Sequence, residues 1–69
     1  MDIEHIALSI RRLPEGVYLA TSDDVPGLTV ECDTREEAVA AARAVALDLI
    51  EEELGRPLVR RLVFTITYL

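Results

Sequence analysis

The sequence predicts an α+β fold with the element order β-β-β-α-β, in which one helix covers one face of a four-stranded sheet. Apolar and polar residues alternate with a period of two near both ends of the chain, as they do in half-buried strands. Two breaks that contain proline and glycine divide the first half into short strands. One alanine-rich stretch with a capping signal predicts the helix. We expect residues 1–69 to form a single domain, without a linker or an internal repeat.

The first two strands are predicted over residues 3–13 and 17–22, and the break at 14–16 favours a short turn between them. The inward-facing residues of the first strand are Ile6, Leu8 and Ile10. The second strand carries β-forming residues on both faces, so its orientation stays open. The alternatives for its inward face are Tyr18 with Ala20 and Val17 with Leu19.

The second break covers residues 22–27, and its Pro26-Gly27 pair suits the two central positions of a type II turn. A short third strand follows over residues 28–32. Cys32 lies on its apolar side and is interpreted as a small buried hydrophobe rather than a reactive thiol. Because it is the only cysteine, a disulfide within the chain is excluded.

The helix is predicted to begin after Thr34, which forms a capping box with Glu37, and to stop at Gly55. At 100° per residue, one stripe is expected to pack on the sheet. Its members are Ala38, Ala42, Val45 and Leu49, flanked by Val39 and Ala46. A second apolar cluster, predicted as an oligomer contact, contains Leu47, Ile50 and Leu54. The alternative is that the helix is rotated, or that a terminus covers this cluster.

The last strand is predicted over residues 58–69, where alternation resumes. Three strands joined by short turns form an antiparallel meander, and the helix then returns the chain across one face. A right-handed crossover places the fourth strand beside the first, which predicts the sheet order 3-2-1-4. One helix leaves the second face of this sheet open. A chain of this size buries only about 60% of its unfolded surface, so we expect a homo-oligomer, a dimer or higher.

The formal net charge is −6, and the chain contains no lysine. Nucleic-acid-binding proteins normally carry a basic surface, so direct nucleic-acid binding is not expected. An acidic surface instead suits a basic protein partner. The sequence has no signal peptide and no apolar run long enough to span a membrane, which favours a cytoplasmic location without membrane contact.

No catalytic site, cofactor site or metal site is predicted. His5 lies near Glu4, but strand geometry sends the two side chains to opposite faces. Asp23 and Asp24 form a carboxylate pair of the kind that can hold magnesium, although solvated turn residues are the simpler interpretation. The run at 51–53 is three glutamates at a helix end, which favours a solvated end or a site for a basic partner over catalysis.

The stretch from the second break to the start of the helix resembles the HicB-like antitoxin family. The residues that carry the resemblance are a strand with an aromatic residue, the acidic turn Asp24-Val25-Pro26-Gly27, and Thr34-Arg35-Glu36-Glu37-Ala38 at the helix start. The resemblance implies a partial ribonuclease-H-like fold. It further implies a non-enzymatic protein that binds and neutralises a small basic mRNA-cleaving toxin. Many family members carry a C-terminal DNA-binding domain, which is not expected after Leu69.

Under this hypothesis, the acidic turn and the glutamate run contact the toxin. The predicted partner-binding residues are Asp23, Asp24, Pro26, Gly27, Glu51, Glu52 and Glu53. Three alternatives remain: a small-ligand or metal-responsive sensor that uses the Asp23-Asp24 pair, a degenerate nuclease, and an orphan structural oligomer without a toxin partner.

Overall fold

A computed structural model describes residues 3–69 of the chain. The elements are β1 (Ile3–Arg12), β2 (Tyr18–Thr21), β3 (Thr29–Cys32), α1 (Arg35–Leu54) and β4 (Arg61–Tyr68). The four strands form one mixed sheet with the order β3-β2-β1-β4. β1 pairs antiparallel with β2 and parallel with β4, and β2 pairs antiparallel with β3. The predicted fold class, element order and sheet order are confirmed.

Both predicted turns are present between the antiparallel strands. The Gly16 N–H donates to the Leu13 carbonyl at 2.9 Å, which closes the turn between β1 and β2. In the second turn, the Leu28 N–H donates to the Val25 carbonyl at 3.2 Å. Gly27 has a φ of 85°, the positive value that a type II turn requires at its third residue. Pro26 and Gly27 therefore hold the central positions, as predicted.

β4 begins three residues later than the alternation predicts, at Arg61 instead of Leu58. Pro57 has no N–H to give to a strand. The N–H of Leu58 is also unavailable to the sheet, since it donates to the Glu51 carboxylate at 2.7 Å. The segment after the helix is thus tied back to α1 before it enters the sheet.

The helix begins at the predicted N-cap. The Thr34 hydroxyl oxygen accepts from the Glu37 N–H at 3.1 Å. The second half of the box differs from the prediction, because the Glu37 carboxylate accepts from the Thr34 hydroxyl at 3.0 Å rather than from a backbone N–H. At the other end, Gly55 has a φ of 72°, and its N–H donates to the Glu51 and Glu52 carbonyls. This left-handed glycine ends the helix.

The core lies between α1 and the central strands. The fully buried residues of α1 are three alanines one turn apart, Ala38, Ala42 and Ala46. Opposite them are Ile6, Leu8 and Ile10 of β1 and Ala20 of β2. Val45 and Leu49, which were predicted as members of the packed stripe, are half-buried, whereas Ala46, predicted at its flank, is fully buried. The helix is therefore rotated toward its smallest residues, which let its backbone approach the sheet closely.

Strand β2 turns Tyr18 and Ala20 toward the helix, which settles the orientation that the sequence left open.

The opposite face of the sheet carries a row of hydroxyl side chains that lie opposite one another on adjacent strands. Thr29, Thr21, Ser9 and Thr67 form one row across all four strands. Ala7, Leu19 and Val63 add apolar surface beside this row. No other element of residues 3–69 covers this face.

α1 does not lie centrally over the sheet. Its backbone approaches those of β3, β2 and β1 and barely approaches that of β4. The inward side of β4 is instead reached by arginine side chains of the helix. The Arg43 guanidinium lies 5.4 Å from the centre of the Phe64 ring, and that of Arg35 lies 4.8 Å from the Tyr68 ring. These are cation–π distances.

Candidate functional site: an acidic groove

A groove of about 560 Å³ lies between the β2–β3 turn and the C-terminal part of α1. We call it the acidic groove. Its acidic lining residues are Glu4, Asp24, Glu52 and Glu53, and its apolar lining residues are Val25, Pro26, Leu49, Ile50 and Leu54. Val25 is buried, whereas Leu54 is 45% exposed, so the apolar surface extends from the core to solvent. Carboxylates around an apolar surface are suited to a basic segment that also carries an apolar anchor.

Two sets of residues predicted from separate stretches of the sequence meet in this groove. Asp24 and Pro26 come from the predicted acidic turn, and Glu52 and Glu53 come from the predicted glutamate run. Asp23 and Gly27 are exposed on the same turn but do not line the groove. The turn and the helix end are thus neighbours in the fold, although the sequence gives no sign of it.

Glu51, the first glutamate of the run, has a different position. It is half-buried, and its carboxylate accepts from the Leu58 N–H at 2.7 Å. Within residues 3–69, neither Glu52 nor Glu53 forms an ion pair. These two carboxylates are exposed and available to an incoming cation, whereas Glu51 holds the connection between α1 and β4.

Asp24 has a structural partner that the sequence did not reveal. Its carboxylate accepts from the Ala7 N–H at 2.7 Å. β2 pairs with β1 only as far as the Ser9–Thr21 position, so the Ala7 N–H lies beyond the end of β2. The Ser22 hydroxyl accepts from the Asp24 N–H at 3.1 Å and fixes the turn from the other side. Asp24 therefore joins the turn to the central strand.

Glu4 is the acidic lining residue that the sequence interpretation missed. Glu4 is two residues before Ile6 in the same strand, so both side chains lie on the helix side of β1. This spacing was the one sequence signal that could have identified Glu4. The Arg60 guanidinium lies 3.6 Å from its carboxylate, and both side chains are about half exposed. A pair so exposed contributes little to stability. Its effect is to place an arginine beside the acidic groove.

A smaller cavity of about 170 Å³ adjoins the acidic groove and shares Glu4, Ile50 and Leu54 with it. Two arginines, Arg56 and Arg60, line this second cavity. The combined surface is acidic at the β2–β3 turn and basic at the start of the segment that leads to β4. This polarity would orient a partner segment that carries charges of both signs.

The predicted oligomer contacts separate in the structure. Ile50 and Leu54 line the acidic groove, so they lie beside carboxylates. Leu47 is 37% exposed and does not line it. The charge of the acidic groove itself, apart from the arginines of the smaller cavity, suits a basic partner.

Among residues 3–69, no group of three or more histidine, cysteine, aspartate or glutamate side chains is arranged to hold a metal ion. His5 is exposed on the open face of the sheet, opposite the side that Glu4 occupies. No helix of residues 3–69 has the combination of length and apolar character needed to cross a membrane.

The fold and the groove define a small α+β domain with a mixed four-stranded sheet and an acidic groove. Comparison with family models shows that the chain belongs to DUF1902, a domain of unknown function, whose model matches residues 14–65. The match spans β2, β3 and α1 and includes every lining residue of the acidic groove except Glu4. The family assignment names no activity.

A solved structure supports the fold independently. The chain is similar to the hypothetical protein TTHA1013 from the extremely thermophilic bacterium Thermus thermophilus, with a TM-score of 0.74 and 29% sequence identity. The similarity covers 96% of this chain and 93% of the other. No curated protein matches the chain.

Proposed function

We propose that this chain is a non-enzymatic protein-interaction module of the HicB antitoxin type, which binds and neutralises a small basic mRNA-cleaving toxin in the cytoplasm. One observation carries the proposal. The acidic turn that carries part of the HicB resemblance and the glutamates at the helix end line the same groove. Because they share a groove, one ligand could contact both stretches, which supports the proposal.

The groove is suited to a basic protein for two physical reasons. Its exposed carboxylates, with the net charge of −6, attract a cationic partner and speed its encounter. Its apolar residues then provide the desolvated contact that slows dissociation. Glu52 and Glu53 supply charge, Pro26, Ile50 and Leu54 supply apolar contact, and Asp24 holds the turn in place.

The remaining predicted contacts have supporting roles in this proposal. Asp23 adds negative charge beside the groove without lining it. Gly27 gives the turn its shape through its positive φ. Glu51 fixes the segment after the helix, which carries Arg56 and Arg60 to the far end of the surface. Inhibition follows if the groove covers the cationic residues that a ribonuclease uses to hold RNA phosphates.

The experiment begins with affinity capture from the source organism, with elution by high salt and identification by mass spectrometry. A captured protein counts as support only if it is small and basic and, after purification, binds the chain stoichiometrically. The chain must also suppress RNA cleavage by the purified protein. The groove variant E52K/E53K is expected to weaken binding at least about tenfold, because two attractive charges become repulsive.

A matched control carries the same change of charge outside the groove. Glu15 lies in the β1–β2 turn and Glu31 lies in β3, and both are exposed. The variant E15K/E31K should bind nearly as tightly as the native chain. Equal loss in both variants would assign the effect to net charge alone. A captured protein that cleaves RNA undiminished in the complex would refute the antitoxin function.

A further inference from the structure

The free edge of β4 is unlike the other edge of the sheet. β4 has eight residues, Arg61–Tyr68, whereas the opposite edge strand β3 has four. From Leu62 to Leu69 the sequence LVFTITYL contains no charged residue, no proline and no glycine. Natural proteins usually protect an exposed edge strand with charged residues, with proline or with a covering helix or loop, because an open edge pairs readily with another strand.

The backbone of β4 presents its outward polar groups in a regular row. The Leu69 N–H donates to the Ile10 carbonyl at 2.8 Å, so the polar groups of Leu69 point toward β1. Successive residues of a strand alternate in this respect. The N–H and C=O groups that point to the free edge therefore belong to Leu62, Phe64, Ile66 and Tyr68.

The same four residues turn their side chains to the helix side, where cover is incomplete. Three of them are half-buried, and Tyr68 is 53% exposed. The helix backbone barely approaches β4, and the guanidinium groups of Arg35 and Arg43 lie over the rings of Tyr68 and Phe64. Within residues 3–69, the strand thus combines outward-pointing backbone groups that have no partner with apolar side chains that are only partly covered.

We infer that a second copy of this chain pairs antiparallel along β4 to form a continuous eight-stranded sheet, in the register that places Thr65 opposite Thr65. In this register Leu62 lies opposite Tyr68, and Phe64 lies opposite Ile66. Each of these pairs joins residues whose backbone groups point to the free edge, so all four can exchange hydrogen bonds.

The partner strand is identified as β4 of a second copy because β4 is complementary to itself in antiparallel orientation. Reversing the strand about Thr65 puts apolar residues opposite apolar residues along its whole helix side. A shift by two residues in one direction would pair Phe64 with itself and place Tyr68 opposite Arg60. The opposite shift would pair Ile66 with itself and leave Leu62 without a partner among residues 3–69. Either shift forfeits part of the contact. The segment carries no charge that would select an acidic or basic partner.

Both helices of the dimer lie on one face of the eight-stranded sheet. Both acidic grooves stay open, because no residue of β4 lines them.

The test measures association of the native chain by sedimentation equilibrium and compares two threonine-to-lysine variants. Thr65 and Thr29 are both exposed on the open face, in β4 and in β3 respectively. T65K should weaken dimerisation at least about tenfold, since two like charges face each other across the two-fold axis. T29K makes the same change on the opposite edge and should dimerise as the native chain does.

A crosslinking experiment checks the register without depending on a destabilising change. In a C32S background, T65C should form an intermolecular disulfide on mild oxidation, because a non-hydrogen-bonded pair places its Cα atoms about 4.5 Å apart. V63C should not, as it lies opposite Thr67. A native chain that stays monomeric at high micromolar concentration, or a crosslink at Val63 and not at Thr65, would overturn the inference. This inference does not depend on the proposed function.

Discussion

The carboxylate of Asp24 accepts a hydrogen bond of 2.7 Å from the backbone N–H of Ala7. β2 is too short to satisfy this donor, and the turn after β2 reaches back to do so. The bond fixes the β2–β3 turn against the central strand and thereby fixes one wall of the acidic groove. One residue of the proposed binding surface is thus also a structural residue.

Substitutions at Asp24 should reveal its structural role. D24A leaves the Ala7 N–H without its protein acceptor and should lower the free energy of unfolding by about 1 kcal/mol. D24N keeps an oxygen in place and should cost less than half of that. Urea denaturation of both variants provides the measurement, with D23A as the control, since Asp23 is exposed on the same turn. Equal destabilisation by D24A and D23A would show that the bond to Ala7 contributes nothing.

Because α1 lies close to the sheet, a side chain larger than alanine should not fit at position 42 without strain. Ala42 is fully buried between α1 and the sheet, whereas Ala44 is exposed on the same helix. A42L should lower the free energy of unfolding by about 1–3 kcal/mol, because the added carbons overpack the core. A44L adds the same atoms in solvent and should change it by less than about 0.5 kcal/mol. Thermal or chemical unfolding that fails to distinguish them would contradict the packing.

The end of the helix depends on the left-handed conformation of Gly55, whose φ is 72°. A Cβ atom at this position would meet no atom within 4 Å, so any cost of substitution is conformational rather than steric. G55A should lower the free energy of unfolding by about 1 kcal/mol. G55N should be milder, because asparagine tolerates this conformation. Circular dichroism during denaturation measures both, and a neutral G55A would disprove the assignment.

The start of the helix offers a parallel test. T34A removes the oxygen that accepts from the Glu37 N–H and should lower the free energy of unfolding by about 1 kcal/mol. T34S retains the acceptor and the hydroxyl that donates to the Glu37 carboxylate, so it should stay within about 0.5 kcal/mol of the native chain. Should T34S lose as much as T34A, the methyl group rather than the cap would be responsible.

Features set by local chemistry could be predicted from the sequence. The Pro26-Gly27 turn, the Thr34 cap and the Gly55 stop each depend on a few adjacent residues, and all three are present. The sheet order followed from strand count, short turns and the handedness of one crossover, and it is confirmed. The rotation of α1 was left open as an alternative. The larger side chains Val45 and Leu49 favoured one orientation, whereas the structure buries the small Ala46.

The groove itself could not be predicted, because its parts come from distant positions. Glu4 lies near the start of β1, Asp24 follows β2, and Glu53 lies near the end of α1. They meet only because α1 runs back along β1 and the β2–β3 turn folds toward the end of the helix. The acidic stretches were predicted separately as contacts. Their meeting in one groove depends on tertiary packing that no local pattern encodes.

The parallel pairing of β1 with β4 has a consequence for how the chain folds during synthesis. Ile3 lies opposite Arg61, so the most extensive strand pairing in the sheet joins the two ends of the sequence. The hairpins and the helix can form from local contacts, but this pairing must close a loop that contains them all. During synthesis, β1 therefore keeps one edge of unpaired backbone N–H and C=O groups until β4 is available to dock. The rate-limiting step of folding should be the docking of this last strand.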